Sequence, residues 1–150
     1  MKMFRGSSFH TIDPKGRIII PTRFRDVIKA DGAGSIMITR MDNCLFAYTH
    51  AEWSKLEQKI LDIQVKSETL RRFQRIFIGG AHDCKCDNQG RVLIPPFLKQ
   101  YSRLEKEIVL VGVLDRFEIW SRENWDQENG LMEQDLGDEK VRQEIAQLGL

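Results

Sequence analysis

Asp13-Pro14-Lys15-Gly16-Arg17-Ile18-Ile19-Ile20-Pro21 returns as Asp87-Asn88-Gln89-Gly90-Arg91-Val92-Leu93-Ile94-Pro95, 74 residues further along a chain of 150. In both copies an Asp opens a tight turn and a Gly closes it. An Arg follows, then a branched apolar strand, then a Pro that stops the strand. Asp at the first position and Gly at the fourth suit a type I turn, and Pro14 sits where that turn favours proline. The Gly supplies the left-handed conformation that joins two antiparallel strands through a bulge. Each copy therefore reads as a β-hairpin. Its tip carries Lys15 or Gln89, and its base sets an Asp against an Arg across the strands.

The repetition continues outward from the turn. His10 matches Cys84, Ile12 matches Cys86 and Phe24 matches Leu98 at the same offset. The offset then slips by one or two residues, as loop-length differences require. Asp42 to Tyr48 matches Asp115 to Trp120, and Thr49-His50-Ala51-Glu52-Trp53 matches Ser121-Arg122-Glu123-Asn124-Trp125. The chain is thus two copies of one unit: hairpin, short helix, second hairpin, longer helix. Two copies are too few for a stacked solenoid. The division expected is 1–78 for the first repeat with its helices, 79–134 for the second and 135–150 for a tail. The repeats are expected to form one compact pseudo-symmetric domain.

A chain of this length can bury one core shared by two halves. Its 41% hydrophobic and 30% charged residues are ordinary for a globular protein. The longest apolar run, Ile108 to Val113, is strand-sized, so no membrane span is expected. Met1 to His10 has basic residues with no apolar segment behind them, unlike a signal peptide. Three cysteines, an odd number, argue against a disulfide framework and fit a reducing cytosol. The net charge of +1 hides an asymmetry: residues 1–41 carry +5, residues 42–114 carry +2 and residues 115–150 carry −6. A basic first part with an acidic tail suits an anionic partner at one end, although such blocks also serve simply as solvated faces.

In chain order, strands are predicted at Phe4 to Ile12 and Ile18 to Ile20. Pro21 starts a short helix with Phe24, Val27 and Ile28 on its apolar side, ending near Asp31-Gly32. Ser35 to Arg40 and Cys44 to Tyr48 form a hairpin around Asp42-Asn43. Thr49 with Glu52 is a capping box for a helix lined by Trp53, Leu56 and Ile60. A further helix runs from about Glu68 to Phe77, with Leu70, Phe73, Ile76 and Phe77 apolar and Arg71, Arg72 and Arg75 on its other side. The second unit repeats the plan: strands through Ala81 to Asp87 and Val92 to Ile94, a helix around Phe97 to Tyr101, strands Glu107 to Val113 and Phe117 to Trp120. Ser121 caps a helix to about Met132, and Glu139 to Leu148 reads as a mobile tail or a short helix. Trp53, Trp120 and Trp125 recur at matched positions and read as core.

Several stretches together match a known pattern. Phe4-Arg5-Gly6, His10-Thr11-Ile12-Asp13 and Lys15-Gly16-Arg17 are followed by Pro21 and Phe24-Arg25. The second half holds Asp87-x-x-Gly90-Arg91, Ile94-Pro95-Pro96, Glu105 to Gly112 and Asp115-Arg116-Phe117-Glu118-Ile119-Trp120. To about Glu133 the chain closely resembles the MraZ family of bacterial transcription regulators. That resemblance implies a mixed α+β fold with a β-barrel-like core of two AbrB-type (swapped-hairpin, double-split-barrel) repeats and peripheral helices. It implies a ring-shaped homo-oligomer that binds short direct repeats of double-stranded promoter DNA upstream of its own operon, in the division and cell-wall gene cluster, usually as a repressor. It places the protein in the cytoplasm on the nucleoid, with no cofactor and no enzymatic activity. The two turns with Asp13/Arg17 and Asp87/Arg91 carry the family's DNA-binding signature. Cys86, where a larger aliphatic is common, and the tail depart from the pattern without touching it.

The residues themselves support part of this. A β-ribbon fits the major groove, where Arg or Lys on guanine O6 and N7 is the commonest specific contact. Lys15, Gly16, Arg17, Gln89, Gly90 and Arg91 form such tips, and Arg5, Arg23 and Arg25 lie near in sequence for phosphates. Asp13 and Asp87 are assigned to orienting the arginines or to accepting N–H groups of the turn. As a hairpin clamp alone, an exposed pair contributes only about 0–1 kcal/mol.

Three other readings are weighed. Asp13 and Asp87 are similar to the carboxylate dyad of acid proteases, but an Arg four residues on opposes proton sharing. His82-x-Cys84-x-Cys86 offers three potential metal ligands on one strand face, without the pair spacing or fourth ligand of a zinc site; no metal is expected. A structural assembly module, using the hairpins only as contacts between subunits and reading no DNA, is the principal alternative.

Overall fold

A computed structural model describes residues 3–150. Met1 and Lys2, the first residues of the segment expected not to be a signal peptide, lie outside the described residues. In chain order the elements are β1 (Phe4–Thr11), β2 (Arg17–Ile19), α1 (Thr22–Asp31), β3 (Ser35–Met41), β4 (Cys44–Tyr48), α2 (His50–Leu61) and α3 (Glu68–Phe77). The second half follows with β5 (His82–Lys85), β6 (Arg91–Leu93), α4 (Pro96–Tyr101), β7 (Glu107–Leu114), β8 (Phe117–Ser121), α5 (Arg122–Asp135) and α6 (Glu139–Ala146).

Local chemistry sets most of these boundaries. The Pro21 carbonyl accepts the Phe24 and Arg25 N–H groups to start α1, and the Pro95 carbonyl accepts those of Leu98 and Lys99 to start α4. Gly32 ends α1 in the left-handed conformation. Thr49, Ser67 and Ser121 cap α2, α3 and α5 by accepting the N–H three residues on. Asp42 and Asn43 both have positive φ, the mark of the two-residue turn whose twist matches a β-hairpin.

The six-stranded sheet has the order β1-β7-β8-β4-β3-β5, every pair antiparallel. Strands of the two repeats are interleaved in it, and exchanging the repeats gives the same order read backwards. Matched residues face each other across the middle: Phe46 opposite Glu118 in the main sheet, and Ile18 opposite Val92 in a separate two-stranded ribbon, β2-β6. The main sheet is open, with β1 and β5 at its edges. The hydrogen-bond ladders of the described residues thus form no closed sheet in support of the β-barrel-like core implied by the resemblance, and the architecture is mixed α+β with a largely antiparallel sheet.

This topology corrects one expectation. The strands flanking each Asp-to-Arg turn do not pair with each other as a hairpin. The first turn is closed by Asp13 and Arg17, the second by Asp87 and Arg91 with one further bridge between Cys86 and Val92. Beyond that rung each strand leaves its own repeat. Ile20 N–H donates to the Gly90 carbonyl and Ile94 N–H to the Gly16 carbonyl, at 2.8 and 2.9 Å. The exchange brings Ile18, Ile20, Val92 and Ile94, all essentially buried, onto one core.

Alternate residues of the sheet enter two apolar layers. On one side Phe4, Phe24 and Phe117 meet with ring centroids 5.0–5.3 Å apart, beneath α1 and the ribbon. On the other, Phe46, Tyr48, Trp53, Phe77 and Trp120 pack under α2 and α3. Coverage of both faces explains why β4 and β8 are buried along their whole length. Trp125, expected in the core, is half-buried against Trp120, and Ile76, read as part of the apolar side of α3, points outward at 49% exposure. The last stretch is helical, α5 continuing through Gly130 to Asp135 and α6 following, and neither contains a buried residue.

Candidate nucleic-acid interface

The two turns are chemically the same device. One carboxylate oxygen of Asp13 accepts the Lys15 and Arg17 N–H groups at 3.0 and 2.8 Å, and the other accepts Arg17 Nε at 2.6 Å. Asp87 repeats this with the Gln89 and Arg91 N–H groups at 2.9 and 2.8 Å and Arg91 Nε at 2.9 Å. Each aspartate therefore bonds the turn N–H groups and the arginine Nε at the same time. The backbone N–H of the arginine is the main cause holding each carboxyl below its ordinary value, with the guanidinium adding to it. Gly16 and Gly90 adopt φ of 88° and 75°, the left-handed region that closes the turn onto the next strand.

Because each clamp uses only Nε, the two terminal Nη nitrogens remain available. Among the described residues no hydrogen bond occupies them. A guanidinium fixed at one edge and open at the other is positioned for a bidentate acceptor.

The ribbon brings the turns together. Since β2 and β6 are antiparallel, the turns stand at its opposite ends. Ile18 and Val92 point inward, so Arg17, Ile19, Arg91 and Leu93 share the outer face. Arg17 lies opposite Leu93 and Ile19 opposite Arg91, which places Arg17 and Arg91 on a diagonal, about 7–8 Å apart at the backbone. Asp13 and Asp87 are each bonded within their own turn, unlike a dyad that shares a proton.

The other predicted cations separate. Arg25 lies over the second turn: a Cβ on Gly90 would come within 2.7 Å of its Cδ. Arg25 Nη2 donates to Thr22 Oγ1, while its buried Nε has no partner among the described residues. With Lys29 and Asn88 it borders a cleft of about 300 Å³ beside Gly90. Arg23 instead lies along β1, donating to the carbonyls of Arg5 and Ser7. The Arg5 side chain is exposed on that strand. Lys15 and Gln89 project from the exposed tips. Of the residues weighed as metal ligands, Cys84 packs into the core, where burial pushes its thiol up to about 12, and His82 stands exposed against the Phe97 ring.

Ile19 and Leu93, exposed at 52% and 57%, are the members of the outer face that sequence reasoning passed over. Ile18-Ile19-Ile20 and Val92-Leu93-Ile94 are apolar throughout, so no alternation marks the outward residue.

Fold and site together define a tandem-repeat protein whose two halves exchange strands to build one arginine-bearing β-ribbon. The family model described as "MraZ protein, putative antitoxin-like" matches residues 3–76 and 77–141, one repeat each. The chain belongs to the MraZ family. Over 148 residues, 99% of this chain and all of each relative, it is 62% identical to the transcriptional regulator MraZ of Desulforapulum autotrophicum and 54% identical to that of Desulfosudis oleivorans. The transcriptional regulator MraZ of Caldicellulosiruptor saccharolyticus is 40% identical over the same span.

Proposed function

We propose that this chain is a sequence-specific DNA-binding transcriptional regulator that reads the major groove with Arg17 and Arg91. The observation that carries the reading is the clamp: each Asp holds its Arg by Nε on the outer face of a ribbon and leaves the Nη pair for guanine O6 and N7. Lys15 and Gln89 on the tips, with Arg25 beside the second turn, are assigned to phosphates and groove edges. Arg5 of β1, and Arg23 of α1 laid along that strand, contribute positive potential. The two repeats, 1–78 and 79–134, act as one pseudo-symmetric unit, a reading supported by the interleaved sheet.

One such ribbon offers few contacts and binds weakly. A ring-shaped homo-oligomer presenting several ribbons to short direct repeats gains through effective concentration. The proposed target is the promoter of its own operon, in the division and cell-wall gene cluster, with repression as the outcome and the nucleoid-bearing cytoplasm as the location. The names of the relatives support regulation of transcription.

Fluorescence anisotropy at several salt concentrations tests this, comparing DNA from upstream of the gene with a scrambled duplex. Wild type is expected to prefer the native duplex with a steep salt slope. Arg17→Ala/Arg91→Ala should lose that preference, each arginine costing about 1–3 kcal/mol, with the oligomer intact. Equally poor binding of both duplexes by an intact oligomer would instead support the assembly module. Exposed Phe9, Ile19 and Leu93 give that second reading its basis.

A further inference from the structure

The outer face of the β2-β6 ribbon carries two diagonals. One is Arg17 and Arg91; the other is Ile19 and Leu93, each aliphatic directly opposite an arginine of the other strand. Ile19 and Leu93 close the C-terminal ends of β2 and β6, more than half exposed, on a face whose other outward residues are clamped cations. A protein surface that only needed to attract phosphates would be served by polar residues here. A face that enters the major groove has a use for them. Thymine is distinguished there by its 5-methyl group, and apolar side chains are what recognise that group.

We propose that Ile19 and Leu93 are specificity-determining residues that contact thymine 5-methyl groups in the base steps next to those read by Arg17 and Arg91. The inference rests on the DNA-binding reading above and deepens it. The occupant is DNA because the apolar pair shares one four-residue face with two guanidinium groups whose outer nitrogens are unbonded within the fold. Spacing agrees: an arginine diagonal of about 7–8 Å spans roughly two base steps, so each aliphatic, directly across from an arginine, falls on a neighbouring step. The pairing Arg17–Leu93 and Ile19–Arg91 further requires that thymine and guanine preferences occur together, once for each repeat. Phe9 extends the apolar surface on the Ile19 side only, where both line one cleft. A contact between copies through Phe9 would therefore be lopsided, whereas the ribbon face is the same for both repeats.

The experiment uses the full-length protein and the duplex it prefers, obtained by selection from a random-sequence pool. Each thymine is replaced in turn by deoxyuridine, which removes the 5-methyl group and leaves the base pair intact. Wild type should lose about fourfold in affinity at each contacted thymine. Ile19→Ala/Leu93→Ala should bind the parent duplex more weakly and be indifferent to those replacements. Ile19→Thr/Leu93→Thr, which restores a methyl at each position and suits a strand, should recover part of the sensitivity. Circular dichroism and oligomer mass accompany each variant, and the wild-type deoxyuridine series stands without any variant. Preferential binding that ignores every thymine replacement overturns this inference and leaves the regulator reading standing. So does an alanine variant that keeps the wild-type deoxyuridine response, or one whose only change is oligomer size, the result a contact between copies would produce. Selection that yields no preferred duplex overturns both.

Discussion

Asp13 and Asp87 each carry three hydrogen bonds on two oxygens, and that economy makes the turn and the arginine inseparable. Asparagine keeps an oxygen for the backbone N–H groups and loses the charge that holds Nε. Asp13→Asn/Asp87→Asn is therefore expected to keep the fold and lose DNA preference, while the alanine pair loses turn stability as well; denaturation and anisotropy on the same samples separate the two effects. The pH dependence follows from the same bonds. Folding lowers both carboxyl values from the ordinary 3.8. The ionised form is thus favoured in the folded state, so the stabilisation is complete above the unfolded value and is lost as pH falls through the lowered ones. The urea midpoint of the wild type should drop through that acidic window, and the asparagine pair should show a flatter profile.

Two glycines stand in opposite situations. Gly112 of β7 lies opposite Gly6 of β1, whose φ of 89° bends the edge strand toward it. A Cβ on Gly112 would stand 2.3 Å from the Arg5 nitrogen and 2.5 Å from the Phe4 carbonyl carbon, backbone atoms that cannot swing aside. Gly112→Ala should cost at least the upper end of about 1–3 kcal/mol in thermal or urea denaturation, with β1 the strand that loosens in hydrogen exchange. Gly130 sits within α5, with nothing inside 4 Å of its would-be Cβ. There alanine only reduces the entropy lost on forming a helix, so Gly130→Ala should stabilise α5 by about 0.5–1 kcal/mol, seen as greater helicity and slower exchange. Elements also show where reading a sequence stops. The starts of α1, α2 and α5 were legible because Pro21, Thr49 and Ser121 act on N–H groups three or four residues away, whereas the Ser67 cap of α3 was seen only in the structure. The outward turn of Ile76 was not legible, because an amphipathic pattern does not say how far the covering layer extends.

At the scale of the molecule, the interleaving of the repeats puts matched residues face to face, and divergence has made one such pair unequal. Phe46 stands opposite Glu118. The glutamate is 9% exposed, accepts two hydrogen bonds from Arg116 at 2.8 and 3.0 Å and a third from Trp120 Nε1 at 3.1 Å. The Arg116 guanidinium also lies 4.0 Å from the Phe46 ring centroid. Removing one partner of such a pair leaves the other charge with poor compensation. Glu118→Ala is expected to destabilise by about 3–5 kcal/mol in equilibrium denaturation, and Glu118→Gln by less because it keeps a neutral acceptor. The acidic C-terminal helices add nothing comparable, as neither buries a residue. The candidate site belongs to this scale too. Its arginines were legible from the repeated turn, but their meeting on one face, and the separation of Arg23 from it, required the exchange of β2 and β6.

The sequence by itself determined the duplication, the two Asp-to-Arg turns, the helix caps and the order of strands and helices. These rest on dihedral preferences and on hydrogen bonds between residues two to four apart, which a linear chain displays directly. Only the tertiary structure decided which strand each turn feeds and which residues face outward. Ile18 to Ile20 and Val92 to Ile94 can pair at home or with each other, and neither run shows an alternation that would reveal its inner face. Burial settles it. Crossing to the other repeat places Ile18, Ile20, Val92 and Ile94 in one core and pairs the N–H groups of Ile20 and Ile94. The same crossing leaves Arg17, Ile19, Arg91 and Leu93 together on the outside.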